Sequence, residues 1–271
     1  YKRLTGLAAP APKLGLELDA YSLVNKGVGL NQLGRISEAL ACYNQALSID
    51  STISVAWANK GNALAASGQH REALRCYDCS LRINPKLQQA WLNKAKAFSA
   101  LGENLEAVSC CETAQGLDPN DDQLWYCKAI ALSKMGQTQE AISSFERCLQ
   151  LNPDSANGWF NMGAMCGKLR DYKIAIKCYE RATSLQADYA DAWFNKAHAH
   201  QSLKQYEASI DAWNHVISLQ PANANAWIMK GAALEDLRQY GNAIDCFRNA
   251  ERLGNPRAKE GIANCERKMG H

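Results

Sequence analysis

Residues 54–87 read SVAWANKGNALAASGQHREALRCYDCSLRINPKL, with Trp57, Gly61, Ala73, Tyr77 and Pro85 as fixed points. The same marks return 34 residues later at Trp91, Ala95, Ala107, Cys111 and Pro119. They return again at Trp125, Ala129, Ala141, Phe145 and Pro153. Trp159, Trp193 and Trp227 continue the beat, and Leu23 holds the place in an earlier unit. Trp213 alone falls outside the series. Seven units follow without an insertion: 20–53, 54–87, 88–121, 122–155, 156–189, 190–223 and 224–257. Self-similarity at such a period is the signature of a repeat architecture.

Each unit reads as two antiparallel helices. Trp57, Gly61 and Leu64 share one helical face, as do Trp91, Ala95 and Phe98. A tiny residue lets two helices approach, and the indole fills the space beside them. Gly34, Gly68, Gly102 and Gly136 fit the stop of the first helix, where a left-handed backbone suits glycine. Later units carry Arg170, Lys204 and Arg238 there, followed by Tyr172, Tyr206 and Tyr240, so the array has two sub-classes.

Trp-x-x-x-Gly/Ala followed by Ala, an aromatic residue and Pro over 34 residues resembles the tetratricopeptide repeat family (TPR). The resemblance covers residues 20–257. It implies an all-α fold, a right-handed α-solenoid superhelix of antiparallel helix pairs. First helices would line a concave groove and second helices the convex back. It also implies a protein–protein interaction scaffold.

The ends complete the organisation. Residues 258–271 read as a capping helix and tail, with Ile262, Cys265 and Met269 on the covered face. Asp19 is placed to N-cap the first helix. Residues 1–19, with Ala8-Ala9-Pro10-Ala11-Pro12, read as a linker or tether. Because the chain opens on Tyr1-Lys2-Arg3 without an initiator Met, an upstream region of the same polypeptide is expected.

Composition bounds the function. A net charge of +3 with no clustered basic stripe gives no reason to expect nucleic acid. No stretch approaches the ~18 unbroken apolar residues of a membrane span, so no membrane insertion is expected. His198 and His200 lie two apart on a helix and make a poor metal pair. No phosphate loop or nucleophile elbow is present, and Cys76-x-x-Cys79 lies within a second helix. The reading is therefore non-catalytic, with no cofactor and no metal.

The eleven cysteines follow the period. Cys42, Cys76, Cys110, Cys178 and Cys246 share one place in the unit, held elsewhere by Ser144 and Ala212. Interchange with Ser and Ala marks a small residue in a tight spot. Buried free thiols point to a reducing intracellular compartment, the cytoplasm.

The sixth residue of each unit is Asn25, Asn59, Asn93, Cys127, Asn161, Asn195 and Met229. Asn has no advantage inside a helix, so its recurrence asks for a reason. A carboxamide matches the donor and acceptor of a peptide unit. The row resembles the asparagine ladders with which some family members hold an extended backbone. The preceding residues, including Leu92, Tyr126, Phe160 and Phe194, form an apolar stripe suited to ligand side chains. Against both stands a plainer account, in which the stripe packs between first helices and Asn satisfies local backbone. Lys96, Lys134 and Lys168 are further groove candidates, and Asp191, Glu235 and Asp236 make the far end acidic. The basic clamp that grips acidic chaperone tails in the family is missing, its places being held by Gln89, Leu92 and Asn93.

Lysine recurs just before the tiny residue, at Lys26, Lys60, Lys94, Lys128, Lys196 and Lys230. Its stem can cover apolar surface while the ammonium reaches water. Glu38, Glu72, Glu106 and Glu140 are the carboxylates expected to pair with it. Taken together, the residues read as an adaptor that binds an extended peptide of a partner protein. The alternative is a self-assembling or spacing scaffold, the accessory TPR domain of a larger multidomain signalling protein or enzyme.

Overall fold

The computed structural model describes residues 17–270, with side chains from Ala20 onward. Fifteen α-helices occupy them, as seven consecutive pairs and a terminal helix. The chain divides into two compact units, one ending at Gln137 and the other beginning at Thr138. The first holds α1 (Glu17–Gln32), α2 (Ile36–Ile49), α3 (Ser54–Ala66), α4 (His70–Ile83), α5 (Gln88–Leu101), α6 (Asn104–Leu117) and α7 (Asp122–Lys134). The second holds α8 (Thr138–Leu151), α9 (Ala156–Lys168), α10 (Tyr172–Leu185), α11 (Ala190–Ser202), α12 (Tyr206–Leu219), α13 (Ala224–Asp236), α14 (Tyr240–Arg252) and α15 (Ala258–Met269).

Within each unit every helix packs on the next in sequence. First helices also touch each other, α1 on α3, α3 on α5 and α5 on α7, and in the second unit α9 on α11. This is the nearest-neighbour pattern of a solenoid, in which each pair buries its apolar face only against adjacent pairs.

The periodic residues explain the packing. Tyr77 lies across Gly61 so closely that a Cβ there would stand 2.6 Å from the ring. Tyr43 and Gly27, Tyr179 and Gly163, and Phe247 and Gly231 repeat the arrangement. Each of the six in-phase indoles meanwhile donates Nε1–H to the carbonyl six residues upstream. Trp57 reaches Ser51, Trp91 Pro85, Trp125 Pro119, Trp159 Pro153 and Trp193 Ala187, all at 2.9 Å, and Trp227 reaches Pro221 at 3.3 Å. The acceptors are the Pro, Ser and Ala of the turn between units, so the Trp fixes the inter-repeat turn as well as filling space. The period by itself reveals only the filling.

The helix stops behave as expected at glycine, with Gly34, Gly68, Gly102 and Gly136 at φ between 74 and 80°. Arg170, Lys204 and Arg238 take the same left-handed backbone at φ 61, 58 and 60°. The turn geometry is imposed by the helix pair, and the side chains there accept a cost of order 1 kcal/mol each.

Three expectations are corrected. The helix starts at Glu17, so Asp19 is a residue inside α1 and not its N-cap. Three of the lysines pair with carboxylates other than the expected glutamates. Lys94 bonds Asp78 (2.7 Å), Lys128 bonds Glu112 (2.8 Å) and Lys196 bonds Glu180 (3.4 Å), while Glu38 pairs with Arg35. The reason is geometric: a first helix nests against the preceding second helix, and the carboxylate within reach is sixteen residues upstream. The ammoniums of Lys60, Lys94, Lys128, Lys196 and Lys230 also sit 5.0–5.8 Å from the rings of their own tryptophans. Finally, α15 covers α14 with Cys265 buried and Ile262 half-buried, but Met269, its last residue, is 59% exposed. The expected tether falls largely outside the described residues.

Candidate functional site

The candidate row sits on the first helices, and its members differ in reach. In the first unit Asn25 is exposed. Asn59 is only 2% exposed, enclosed between helices. Asn93 is half-buried; its Nδ2 donates to Asn62 Oδ1 (2.8 Å), and Gln89 Nε2 donates to its Oδ1 (3.1 Å). Tyr77 OH donates to the same Asn62 oxygen at 2.9 Å, making a small relay between neighbouring repeats. Leu92 is 2% exposed and belongs to the core with Ala95, Cys111 and Leu124. Tyr126 is half-buried. Lys96 and Lys134 are exposed, and Lys134 Nζ donates to the Ser99 carbonyl and hydroxyl at 3.1 and 3.2 Å.

In the second unit Asn161 donates Nδ2–H to the Asn157 carbonyl at 2.9 Å, one turn upstream. Asn195 is half-buried. Phe160 lies half-buried 4.9 Å from Tyr189, whose hydroxyl donates to Asn157 Oδ1 (2.9 Å). Lys168 is exposed at the end of α9. Local satisfaction thus accounts for much of the asparagine row. Asn59 and Leu92 serve packing, whereas Asn25, Lys96, Lys134 and Lys168 keep open faces.

One concavity in the second unit was not singled out from sequence. A hollow of about 370 Å³ opens beside α11 and α13. Phe194, Ile228, Met229 and Pro256 give it an apolar lining, and His198, Asn225, Asn255 and Arg257 a polar one. Behind it Trp213 meets both Phe194 and His198 edge-on at 5.0 Å, and Phe194 lies 4.7 Å from His198. Burial holds the His198 imidazole below its ordinary value, favouring the neutral ring. Asn255 Nδ2 donates to Asn225 Oδ1 (3.1 Å), tying the loop before α15 to α13. The signal available in sequence was Trp213, the indole out of phase.

Two further histidines are in contact with neighbours. His200 Nδ1 lies 2.8 Å from Gln205 Oε1, and His215 stacks on Trp193 at 3.9 Å. Among the described residues no group of three or more His, Cys, Asp or Glu side chains converges on a metal-sized site. All eleven cysteines are free thiols, ten buried and Cys79 half-buried. Burial pushes Cys76 and Cys110 up to about 11, as suits inert structural thiols. No described helix is long and apolar enough to cross a membrane.

Tetratricopeptide repeat models match residues 20–53, 54–87, 88–121, 123–155, 156–189, 190–223 and 224–253. The chain belongs to the tetratricopeptide repeat family. Similar solved structures include Pseudomonas aeruginosa pilF, at 18% identity over 77% of this chain and 95% of that one, with a TM-score of 0.68. MamA is similar at 22% identity over 64% and 94%, TM-score 0.59. YrrB, described as a TPR protein with an unusual peptide-binding site, is similar at 20% identity over 68% and 95%, TM-score 0.59. At these identities the likeness establishes the fold. No curated protein sequence matches the chain significantly.

Proposed function

We propose that this protein is a non-catalytic interaction scaffold whose first-helix faces bind an extended peptide segment of a partner protein in a reducing cytoplasmic setting. The observation that carries the reading is the hollow at Phe194, Ile228 and Met229. Its volume falls in the range of side-chain and small-ligand pockets. An apolar lining beside amides and a guanidinium suits a bulky apolar residue with a carboxylate next to it in the ligand. Such a mixed lining is how a pocket combines affinity with orientation. The family to which the chain belongs supports the coarser role, and a peptide site in the similar YrrB supports the mode.

Asn93, Asn161 and Asn195 would clamp the ligand backbone by exchanging local hydrogen bonds for bonds to peptide groups. Exchange makes the net gain per bond small, about 0.5–1.5 kcal/mol at most. Affinity should therefore be roughly micromolar and dominated by the pocketed side chain. Trp213, in edge contact with two lining residues, provides an intrinsic fluorescence reporter. Peptides selected from a random display library against the full chain should quench or shift it on titration. Phe194→Ala should weaken them at least about tenfold, the loss of roughly 1.4 kcal/mol. If Phe194→Ala and the triple Asn93→Ala, Asn161→Ala, Asn195→Ala variant both leave every selected peptide's affinity unchanged, the reading fails.

A further inference from the structure

On the first helices of the first compact unit, two ammoniums come together on α5 with no carboxylate paired to either. Lys134, the last residue of α7, reaches across to α5 and donates to the Ser99 carbonyl at 3.1 Å and hydroxyl at 3.2 Å. Ser99 lies three residues beyond Lys96, a spacing that puts two side chains on one face of a helix. The two lysines thus share one turn of α5, and both are exposed. Lys94, Lys128, Lys196 and Lys268, by contrast, are each neutralised by a carboxylate 2.7–3.4 Å away. No ion pair among the described residues includes Lys96 or Lys134.

Donors outnumber acceptors around this turn. An ammonium carries three N–H donors. Lys134 gives two to Ser99 and keeps one, Lys96 gives none to a described residue, and the Ser99 hydroxyl still has its own proton to donate. One turn before Lys96, Asn93 donates to Asn62 Oδ1 at 2.8 Å, and Tyr77 OH donates to the same oxygen at 2.9 Å. Asn62 Nδ2 is buried and lacks an acceptor. Buried polar groups are nearly always satisfied, so an orphan asks for a partner. Helix capping explains one part of the arrangement, because Ser99 lies in the last turn of α5, where a cation suits the dipole. It leaves the Lys96 head and the Asn62 orphan unexplained. By covering that end of α5, Lys134 also offsets the repulsion its carbonyls would offer an anion.

We propose that Lys96 and Lys134 form an oxyanion site for a phosphoserine or phosphothreonine in the partner segment held by the first helices. Two unit positive charges are best matched by a dianion, and a phosphomonoester brings about −1.5 to −2 at neutral pH with three acceptor oxygens. A carboxylate brings one charge, and its flat pair of oxygens matches a guanidinium fork rather than two separate ammoniums. Lysine suits phosphate as a point charge. Ser99 holds the Lys134 head in place before the ligand arrives, which lowers the ordering cost of binding. The places differ from those of the chaperone-tail clamp of the family, held here by Gln89, Leu92 and Asn93. The site rests on the reading of a peptide along the first helices, but not on the hollow beside Phe194.

The test compares three degenerate peptide libraries on the full chain by fluorescence anisotropy, with phosphoserine, serine or glutamate fixed at the centre. The phosphoserine library should bind roughly tenfold tighter than the serine library, with the glutamate library nearer to serine. Added salt should narrow the gap. The preference should shrink in Lys96→Gln and in Lys134→Gln, and vanish when the two are combined. Lys177→Gln, which removes an exposed charge on the second helix α10, should leave it unchanged. Binding of the serine library reports on peptide binding itself, so its failure would sink that reading and not this site. In that case N-acetyl-phosphoserine amide, titrated into the chain carrying isotope-labelled lysine, should still shift the Cε resonances of Lys96 and Lys134 beyond that of Lys177. The site is overturned if the serine or the glutamate library matches the phosphoserine library, or if the double variant keeps the preference. It is overturned equally if the small phosphate ester shifts Lys96 and Lys134 no more than Lys177.

Discussion

Trp91 Nε1 donates to the Pro85 carbonyl at 2.9 Å, and five other tryptophans make the same bond to the residue six before them. A residue conserved by the repeat for bulk is thereby also the latch on the turn that separates one helix pair from the next. Trp213 is the exception, fully buried with Nε1 lacking an acceptor.

Replacing the Trp91 indole by its benzothiophene isostere keeps the shape and removes the donor. Urea denaturation should register a loss of about 0.5–1.5 kcal/mol at Trp91. The same replacement at Trp213 should cost nothing or stabilise, because no bond is lost and a buried polar group is relieved. Equal losses at the two sites would refute the latch.

Gly61→Ala would bring a Cβ to 2.6 Å from the Tyr77 ring, and the ring cannot withdraw without disturbing α4. Overpacking of this kind costs about 1–3 kcal/mol. The third repeat contains the remedy, since Ala95 there faces the smaller Cys111. The Gly61→Ala, Tyr77→Cys double variant should be less destabilised than the sum of the singles, a coupling that a double-mutant cycle measures.

The helix stop separates backbone from packing. At Gly102, φ is 80° and a Cβ would meet nothing within 4 Å. Gly102→Ala should therefore destabilise by about 1 kcal/mol through the backbone alone. Arg170→Gly, at φ 61°, relieves the same strain but frees the unfolded chain, so its change should be smaller. Thermal melts of the two variants should differ in sign or clearly in size.

His198 gives the stability a pH dependence whose sign follows from its surroundings. Burial lowers its folded value beneath the ordinary 6.5. An unfolded chain then binds the proton first as pH falls, so this contribution is complete above 6.5 and is lost as pH drops through the lowered folded value. His198→Gln should flatten that part of the stability profile between pH 7 and 5, read by denaturation at each pH. A profile identical to the parent's would mean that the ring titrates as it does in the unfolded chain.

The seven helix pairs were legible because the repeat multiplies each weak signal: one Trp-x-x-x-Gly is ambiguous, and six in phase are not. The small-residue cysteines were legible for the same reason, and so were the left-handed stops at Gly34 to Gly136. The partners of Lys94 and Lys128 were not. They depend on which second helix a first helix nests against, a tertiary fact that places Asp78 and Glu112 rather than Glu72 and Glu106 within reach. Nor could the period say that Asn59 is enclosed while Asn25 is open, since repeated residues share a register without sharing an environment. The hollow beside Phe194 escaped because it needs the Asn255-Pro256-Arg257 loop, which lies where the repeat pattern ends.

Hydrogen exchange on the full chain, with and without a display-selected peptide, tests peptide binding by the first helices most directly. Slowed exchange is predicted in α11 and α13 and at the loop before α15, with α12 and α14 unchanged. Protection confined to α12 and α14, or none at saturating peptide, would contradict it.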